Sequence, residues 1–151
     1  MLKNIPNNLS PDILKVLMEM GHGDEIVIAD GNFPANSHTA NVLRLDGQSA
    51  TEVLRSILYL LPLDDYEVGA VMLMEPKENE KIPEIWAEYN EILRQTENFH
   101  ISISKFTRFD FYEQAKKAYA IIATGEQEQY ANIMLRKGVI KRGDESVCWQ
   151  E

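Results

Sequence analysis

The sequence predicts an α/β fold, a single three-layer domain over residues 1–151 with a mostly parallel sheet covered by helices on both faces. Segments with apolar residues at helical spacing alternate along nearly the whole chain with short apolar runs that are typical of buried strands. Residues 68–74 form a continuous apolar run, which indicates a strand with helices above and below it. No internal repeat or low-complexity linker divides the chain.

The first helix and the first strand follow one another closely near the amino terminus. Ser10 is a typical N-cap and Pro11 suits a first helical turn, so a helix is expected to begin here and to end at Gly21. Residues 26–29 are all apolar and predict a buried strand that stops where Asp30 begins.

The middle of the chain contains a second helix and a second strand. Ser49 and Glu52 match a capping box, and the helix that they open is expected to run to Pro62. The strand over residues 68–74 follows, and the charged stretch 75–81 reads as a solvated loop.

The last third of the chain contains two further helices. Pro83 begins one whose apolar residues recur at helical spacing, and Asp110 is expected to cap the other, which reaches Lys117. Further strands are predicted at residues 99–104, 118–123 and 133–135.

The composition disfavours several classes of function. A formal net charge of -9 would repel nucleic acid and anionic membrane surfaces. No stretch approaches the ~20 consecutive apolar residues of a membrane span, and neither glycine-rich phosphate loop pattern occurs, so no nucleotide cofactor is expected. The single cysteine, Cys148, excludes an intramolecular disulfide and is interpreted as inert. With no secretory signal pattern, a cytoplasmic protein is predicted.

The strand over residues 26–29 has a histidine before it and a carboxylate after it, which predicts a small polar site. Ligands of α/β sheets bind where the strands end, and this favours Asp30 as a ligand-binding residue. An imidazole ordinarily changes charge near neutral pH, so His22 is the best general acid–base candidate. It could instead only bond the last carbonyls of the first helix. His38 lies in the following polar loop and could join the site, whereas His100 has a weaker context.

Two other chemistries are disfavoured by spacing. A metal site of His22, Asp24, Asp30 and His38 matches no known ligand signature. A phosphatase that uses an aspartate nucleophile needs a second carboxylate two residues before Asp30, and that position is Ile28.

Further polar residues along the chain are suited to hydroxyl groups. Arg108 stands among aromatic residues at a strand-to-helix junction, and Tyr130 and Asn132 precede the last strand. Arg108 could equally be a surface arginine beside a core helix. Together with His22 and Asp30, these residues favour a carbohydrate ligand over a phosphate or an apolar one.

Several motifs in one order resemble the fucose mutarotase and ribose pyranase family, specifically its fucose branch. They lie at residues 9–17, 19–27, 29–35, 108–118 and 123–126. The resemblance implies that His22 is the proton donor and that the sugar-binding residues are Asp30, Arg108, Tyr130, Ala131 and Asn132. Ala131 stands where this family is expected to have glycine, and Arg108 favours fucose over ribose.

The resemblance also implies an activity, an isomerase reaction in which the α and β anomers of L-fucose interconvert by acid–base ring opening and closing. D-ribose is a second expected substrate, and no metal or cofactor is implied. The family forms ring-shaped homo-oligomers, often decamers, so that a neighbouring subunit could complete the pocket. The alternative is a non-catalytic sugar-binding accessory protein, and the role of Asp30 as orienting group, hydroxyl partner or base stays open.

Overall fold

A computed structural model of the chain describes residues 1–97 and 99–143. Its helices are α1 Pro11–Glu19, α2 Ala35–His38, α3 Ala50–Leu58, α4 Ile85–Thr96 and α5 Arg108–Lys117. Its strands are β1 Glu25–Ala29, β2 Val42–Leu45, β3 Val71–Met74, β4 Ile103–Phe106, β5 Ala120–Thr124 and β6 Ile133–Arg136. No helix in the described ranges is both long and apolar enough to cross a membrane.

The strands form one mixed sheet in the order β2-β5-β1-β6-β3-β4. Strands β1 to β5 all run in the same direction, and β6 runs antiparallel between β1 and β3. The five parallel strands therefore end at one edge of the sheet, here called the carboxyl edge, and β6 begins there. They begin at the opposite amino edge, where β6 ends. The predicted mostly parallel sheet is confirmed.

Helices cover both faces of the sheet, which confirms the predicted three-layer arrangement. Side chains of β1 alternate, so that Ile26 and Ile28 pack in one core and Val27 and Ala29 in the other. The first core includes α1, α3 and α4, and the second includes Phe111 and other residues of α5 and α2. These four residues of β1 are fully buried, as expected for a strand between two helical layers.

The helix starts agree with the sequence in two cases and differ in a third. The Ser10 hydroxyl accepts a hydrogen bond from the backbone N–H of Ile13, and Ser49 and Glu52 form the complete capping box. Asp110 does not cap α5. Thr107 is the N-cap and accepts a bond from the Asp110 backbone N–H, because the helix begins directly after β4 and places Asp110 in its first turn.

Several predicted boundaries were wrong, and two short elements were missed. The strand expected at 68–74 begins at Val71, because Gly69 has a φ of 91°. The strand expected at 99–104 lies at Ile103–Phe106, and α3 ends at Leu58, before Pro62. Helix α2 and strand β2 have four residues each, too few to show an apolar period.

Gly138 lets the chain after β6 lie directly against the segment before β3. A Cβ at this position would come within 2.3 Å of the carbonyl oxygen of Leu63. The Gly138 N–H donates to the carbonyl of Pro62 at 2.8 Å, and the Asp64 N–H donates to the carbonyl of Arg136 at 3.1 Å. This contact holds Asp64 at the amino edge.

Substitution of Gly138→Ala is expected to lower the free energy of unfolding by about 1–3 kcal/mol, because two backbone segments must separate to admit the methyl group. Urea unfolding at equilibrium measures the change. Gly47→Ala is the matched control, since nothing lies within 4 Å of a Cβ there. Equal stability of the two variants would contradict the close packing.

Candidate functional site

Asp30 and Asn132 form a buried polar pair at the carboxyl edge. Asp30 follows β1 and Asn132 precedes β6, and the antiparallel register of these neighbouring strands places them side by side. The Asp30 N–H donates to the Asn132 side-chain oxygen at 2.8 Å, and the Asn132 amide donates to Asp30 Oδ2 at 3.0 Å. The Asn32 N–H donates to Asp30 Oδ1 at 3.0 Å. Both side chains are almost completely buried, so their positions are fixed before any ligand binds.

The electrostatic environment of Asp30 opposes its ionisation. Burial raises the pKa of this carboxyl above its ordinary value, and hydrogen bonds from Asn32 and Asn132 offset part of that rise. Backbone hydrogen bonds from Phe33 and Ala131 also lower this pKa. When ionised, the Asp30 carboxylate only accepts hydrogen bonds, which makes it a suitable partner for ligand hydroxyls.

The segment from Tyr130 to Asn132 is held from behind by helix α4. Tyr130 has a φ of 58°, an unusual backbone conformation for a residue with a side chain. Its carbonyl accepts a hydrogen bond from Trp86 Nε1 at 3.1 Å, and the carbonyl of Ala131 accepts one from the Tyr89 hydroxyl at 2.7 Å. These contacts stabilise the turn that presents Tyr130 and Asn132.

Arg108 and Tyr130 lie on the same side of the carboxyl edge, with Glu80 near both. Arg108 is exposed as the first residue of α5, and its guanidinium stacks 4.9 Å from the ring centre of Phe109. A hydrogen bond to Glu80 raises the pKa of the Tyr130 hydroxyl, and the charge of Arg108 opposes that rise. The sequence analysis predicted Arg108 and Tyr130 but not Glu80, which lies in the loop read as solvated.

An aromatic cluster borders the loop after Asp30. It consists of Phe33, His38, Phe109 and Tyr112. The ring centres of His38 and Tyr112 are 4.8 Å apart, and His38 Nδ1 lies 2.7 Å from the carbonyl oxygen of Pro34. His38 thus packs beside the carboxyl edge.

His22 lies at the amino edge, in the turn before β1. Its Nε2 is 3.2 Å from Asp64 Oδ1, and its ring centre is 5.5 Å from that of Tyr66. Four residue steps of β1 separate Glu25 from Ala29, which corresponds to about 13 Å along the strand. Within one chain, the structure therefore does not bring His22 to the other four predicted polar residues.

The amino edge contains groups that the sequence analysis did not single out. Asp64 is 2% exposed, and with Tyr66 and His100 it lines a cleft of about 190 Å³. The contact between His22 and Asp64 joins residues 42 positions apart, so no local pattern could reveal it. In residues 1–97 and 99–143, no group of three or more histidine, cysteine, aspartate or glutamate side chains could hold a metal ion. Cys148 lies outside the described residues.

The fold and these groups define an α/β domain with a mixed sheet that presents polar side chains at its carboxyl edge. The chain belongs to the RbsD / FucU transport protein family, which its residues 3–140 match. The resemblance seen in the sequence motifs is thereby confirmed.

Relatives with established names are similar over almost their whole length. The chain is 46% identical to the fucose mutarotase of Homo sapiens, over 92% of this chain and 94% of that protein. It is 42% identical to the L-fucose mutarotase of Haemophilus influenzae, over 92% and 97% of the two chains. The crystal structure of the fucose mutarotase in complex with L-fucose from Streptococcus pneumoniae matches with a TM-score of 0.89 and 50% identity, over 93% of this chain and 100% of that one.

The raised pKa of Asp30 predicts a pH dependence of stability. Because the folded state favours the protonated carboxyl, the contribution of Asp30 is fully present below its ordinary pKa of 3.8 and is lost as the pH rises through the higher folded-state pKa. The free energy of unfolding of the wild type minus that of Asp30→Asn should therefore be larger at pH 4 than at pH 7. Urea unfolding at both pH values measures it.

Asp46→Asn is the matched control with the opposite sign. The hydrogen bond from Arg44 lowers the pKa of the Asp46 carboxyl, so any contribution from this exposed residue is lost as the pH falls. A difference for Asp30→Asn that grew with rising pH would contradict the desolvation of Asp30.

Proposed function

We propose that this chain is an L-fucose mutarotase, an isomerase that interconverts the α and β anomers of L-fucose, and that residues 1–151 form one mutarotase-like domain. The main support is one observation: the buried Asp30–Asn132 pair lies at the carboxyl edge of a chain that is 46% identical to a fucose mutarotase. The groups around this pair are hydroxyl partners, which suits a neutral sugar.

The substrate is proposed to bind at the carboxyl edge through hydrogen bonds of both polarities. Asp30 accepts hydrogen bonds from sugar hydroxyls, and Asn132 and the Arg108 guanidinium donate to them. The Tyr130 hydroxyl, whose own hydrogen is bonded to Glu80, accepts from them. Ala131 is fully buried and lies between Tyr130 and Asn132 in the same segment. Arg108 favours L-fucose, and D-ribose is proposed as a secondary substrate.

The reaction needs two proton transfers and no change of oxidation state. A base takes the proton of the anomeric hydroxyl while an acid gives a proton to the ring oxygen, and the C1–O bond of the ring breaks to leave an open aldehyde. Rotation about the C1–C2 bond followed by closure gives the other anomer. We assign the acid to His22, whose imidazole can both donate and accept a proton, and general acid–base help of this kind is typically worth ~10²–10⁴-fold.

The separation of His22 from Asp30 requires a second subunit in this proposal. A contact between the amino edge of one copy and the carboxyl edge of the next joins two different surfaces, and repetition of such a contact closes a ring when the rotation allows it. We propose a homo-oligomeric ring, a decamer, in the cytoplasm. His22 of one copy then reaches the sugar held by Asp30 and Arg108 of its neighbour.

Substitution of His22→Ala is expected to lower kcat for anomer exchange of L-fucose by ~10²–10⁴-fold, because the ring oxygen loses its acid. Arg108→Ala should mainly raise KM, because it removes a binding group. Proton NMR saturation transfer measures both, with D-ribose alongside. If folded wild-type protein accelerates neither sugar, the non-catalytic sugar-binding function becomes the better hypothesis.

Mixed oligomers test whether the site lies between subunits. His22→Ala and Asp30→Asn are each expected to be nearly inactive, but co-assembly in equal amounts should restore roughly a quarter of the wild-type sites, since each shared site draws one group from either copy. Each variant assembled alone is the control. Activity no higher than that of the separate variants would show that the site does not lie between copies.

A further inference from the structure

The loop between β5 and β6, residues 125–132, contains Tyr130 and Asn132, which the proposed function assigns to sugar binding. Glu126 lies near the start of this loop. It belongs to the motif at residues 123–126, to which the proposed function gives no role. Its side chain and its backbone form hydrogen bonds to three separate parts of the fold.

The carboxylate of Glu126 divides its two oxygens between a helix and its own loop. Oε2 accepts a hydrogen bond at 3.2 Å from the N–H of Ala50, the first residue of α3. Oε1 accepts hydrogen bonds from the N–H groups of Gln127 at 2.9 Å and Glu128 at 3.1 Å. The first N–H groups of a helix have no partner within the helix, and a negative charge is favourable beside them. The side chain therefore fastens the loop to the start of α3.

The backbone of Glu126 joins the same loop to the end of β1. Its carbonyl accepts a hydrogen bond at 2.8 Å from the N–H of Gly31, the residue after Asp30. Its N–H donates to the Thr124 hydroxyl at 3.2 Å, and that hydroxyl donates to the carbonyl of Ala29 at 2.7 Å. The residues on both sides of Asp30 are thus linked to Glu126.

Gly125 fixes the backbone that leads into Glu126. A Cβ at Gly125 would collide with the carbonyl oxygen of Asp46. The Gly125 N–H donates to the carbonyl of Gln48 at 2.9 Å, in the turn before α3. Because the chain is held here on both sides, the Glu126 carboxylate is the next constraint along the loop.

The far half of the loop is bonded to a second helix start. The Glu128 carboxylate accepts hydrogen bonds from the N–H of Glu84 at 2.6 Å and of Ile85 at 3.2 Å, where α4 begins. The loop is therefore held between α3 and α4. Since the Glu128 N–H is bonded to Glu126, the Glu126 side chain connects the two halves of the loop.

We infer that Glu126 is a positioning residue for sugar binding, which holds the segment after Asp30 and the loop with Tyr130 and Asn132 in one fixed arrangement. This inference rests on the proposed function for the part that concerns the sugar. The coupling between the two segments stands on the hydrogen bonds alone. Two separate measurements therefore test the two parts.

The first measurement is hydrogen–deuterium exchange by mass spectrometry, on peptides that include residues 29–34 and 125–132. Glu126→Gln keeps the size of the side chain but leaves one acceptor oxygen where the carboxylate has two, so the helix and the loop cannot both be satisfied. The Gly31 N–H bonds to the backbone of residue 126 and not to the substituted group, and it should exchange about 10-fold faster in the variant. Unchanged exchange over residues 29–34 would overturn the inference, whatever the activity.

The second measurement is binding and anomer exchange of L-fucose. Displacement of Tyr130 and Asn132 in Glu126→Gln should raise both KM and the calorimetric Kd about 10-fold. It should leave kcat within about twofold of the wild type, because the proposed acid His22 lies at the other edge. A purely structural defect would instead lower the amount of active protein, and with it the apparent kcat. A lowered kcat with unchanged KM and Kd would therefore overturn the inference.

Glu52→Gln is the matched control for charge. It removes one negative charge at the start of the same helix, where Glu52 Oε2 accepts from the Ser49 N–H at 3.0 Å within the capping box. Its KM and its exchange over residues 29–34 should equal those of the wild type. Equal effects of the two variants would show that the charge at the helix start matters and not the link between the loops, and would overturn the inference.

The two measurements also separate this inference from the proposed function. If the wild type bound no L-fucose, the proposed function would fail. The exchange over residues 29–34 would still decide whether Glu126 couples the two segments.

Discussion

The position of β6 is the constraint on which both polar regions depend. This strand runs antiparallel between β1 and β3, so its start lies beside the end of β1 and its end lies beside the segment before β3. The start brings Asn132 to Asp30, and the end brings Arg136 to the backbone of Asp64. A parallel strand in this place would exchange the two edges and separate both pairs.

The same arrangement divides the polar groups between the two edges of one rigid sheet. Residues 26–29 of β1 are fully buried between two helical layers, so the strand cannot bend to bring His22 toward Asp30. Each edge instead has its own support: Trp86 and Tyr89 hold the carboxyl edge from behind, and Asp64 holds His22 at the amino edge. Under the proposed function, rigid halves of this kind need only a fixed contact between copies to form a complete site.

The sequence predicted the layers and most of the elements because their signals are local. The Ser10 cap, the Ser49–Glu52 box and the apolar run of β1 each lie within a few residues, and the structure confirms them. The direction of β6, the short elements α2 and β2, and the start of β3 depend on contacts between distant segments. A four-residue strand has too few positions to show a period, which explains the omission of β2.

In the candidate site too, some features follow from the local sequence and others depend on contacts between distant residues. Asp30 could be placed at the carboxyl edge because it directly follows a strand, but its side-chain partner Asn132 is 102 positions away. His22 could be recognised by its ring chemistry, yet its distance from Asp30 follows only from the direction of β1 and the rigidity of the sheet. In the sequence, the short spacing between His22 and Asp30 suggested a single polar site. In the folded chain, strand β1 occupies most of that spacing. Residues at the two ends of a buried strand are kept apart by it, and a site that needs both must be completed from outside the chain.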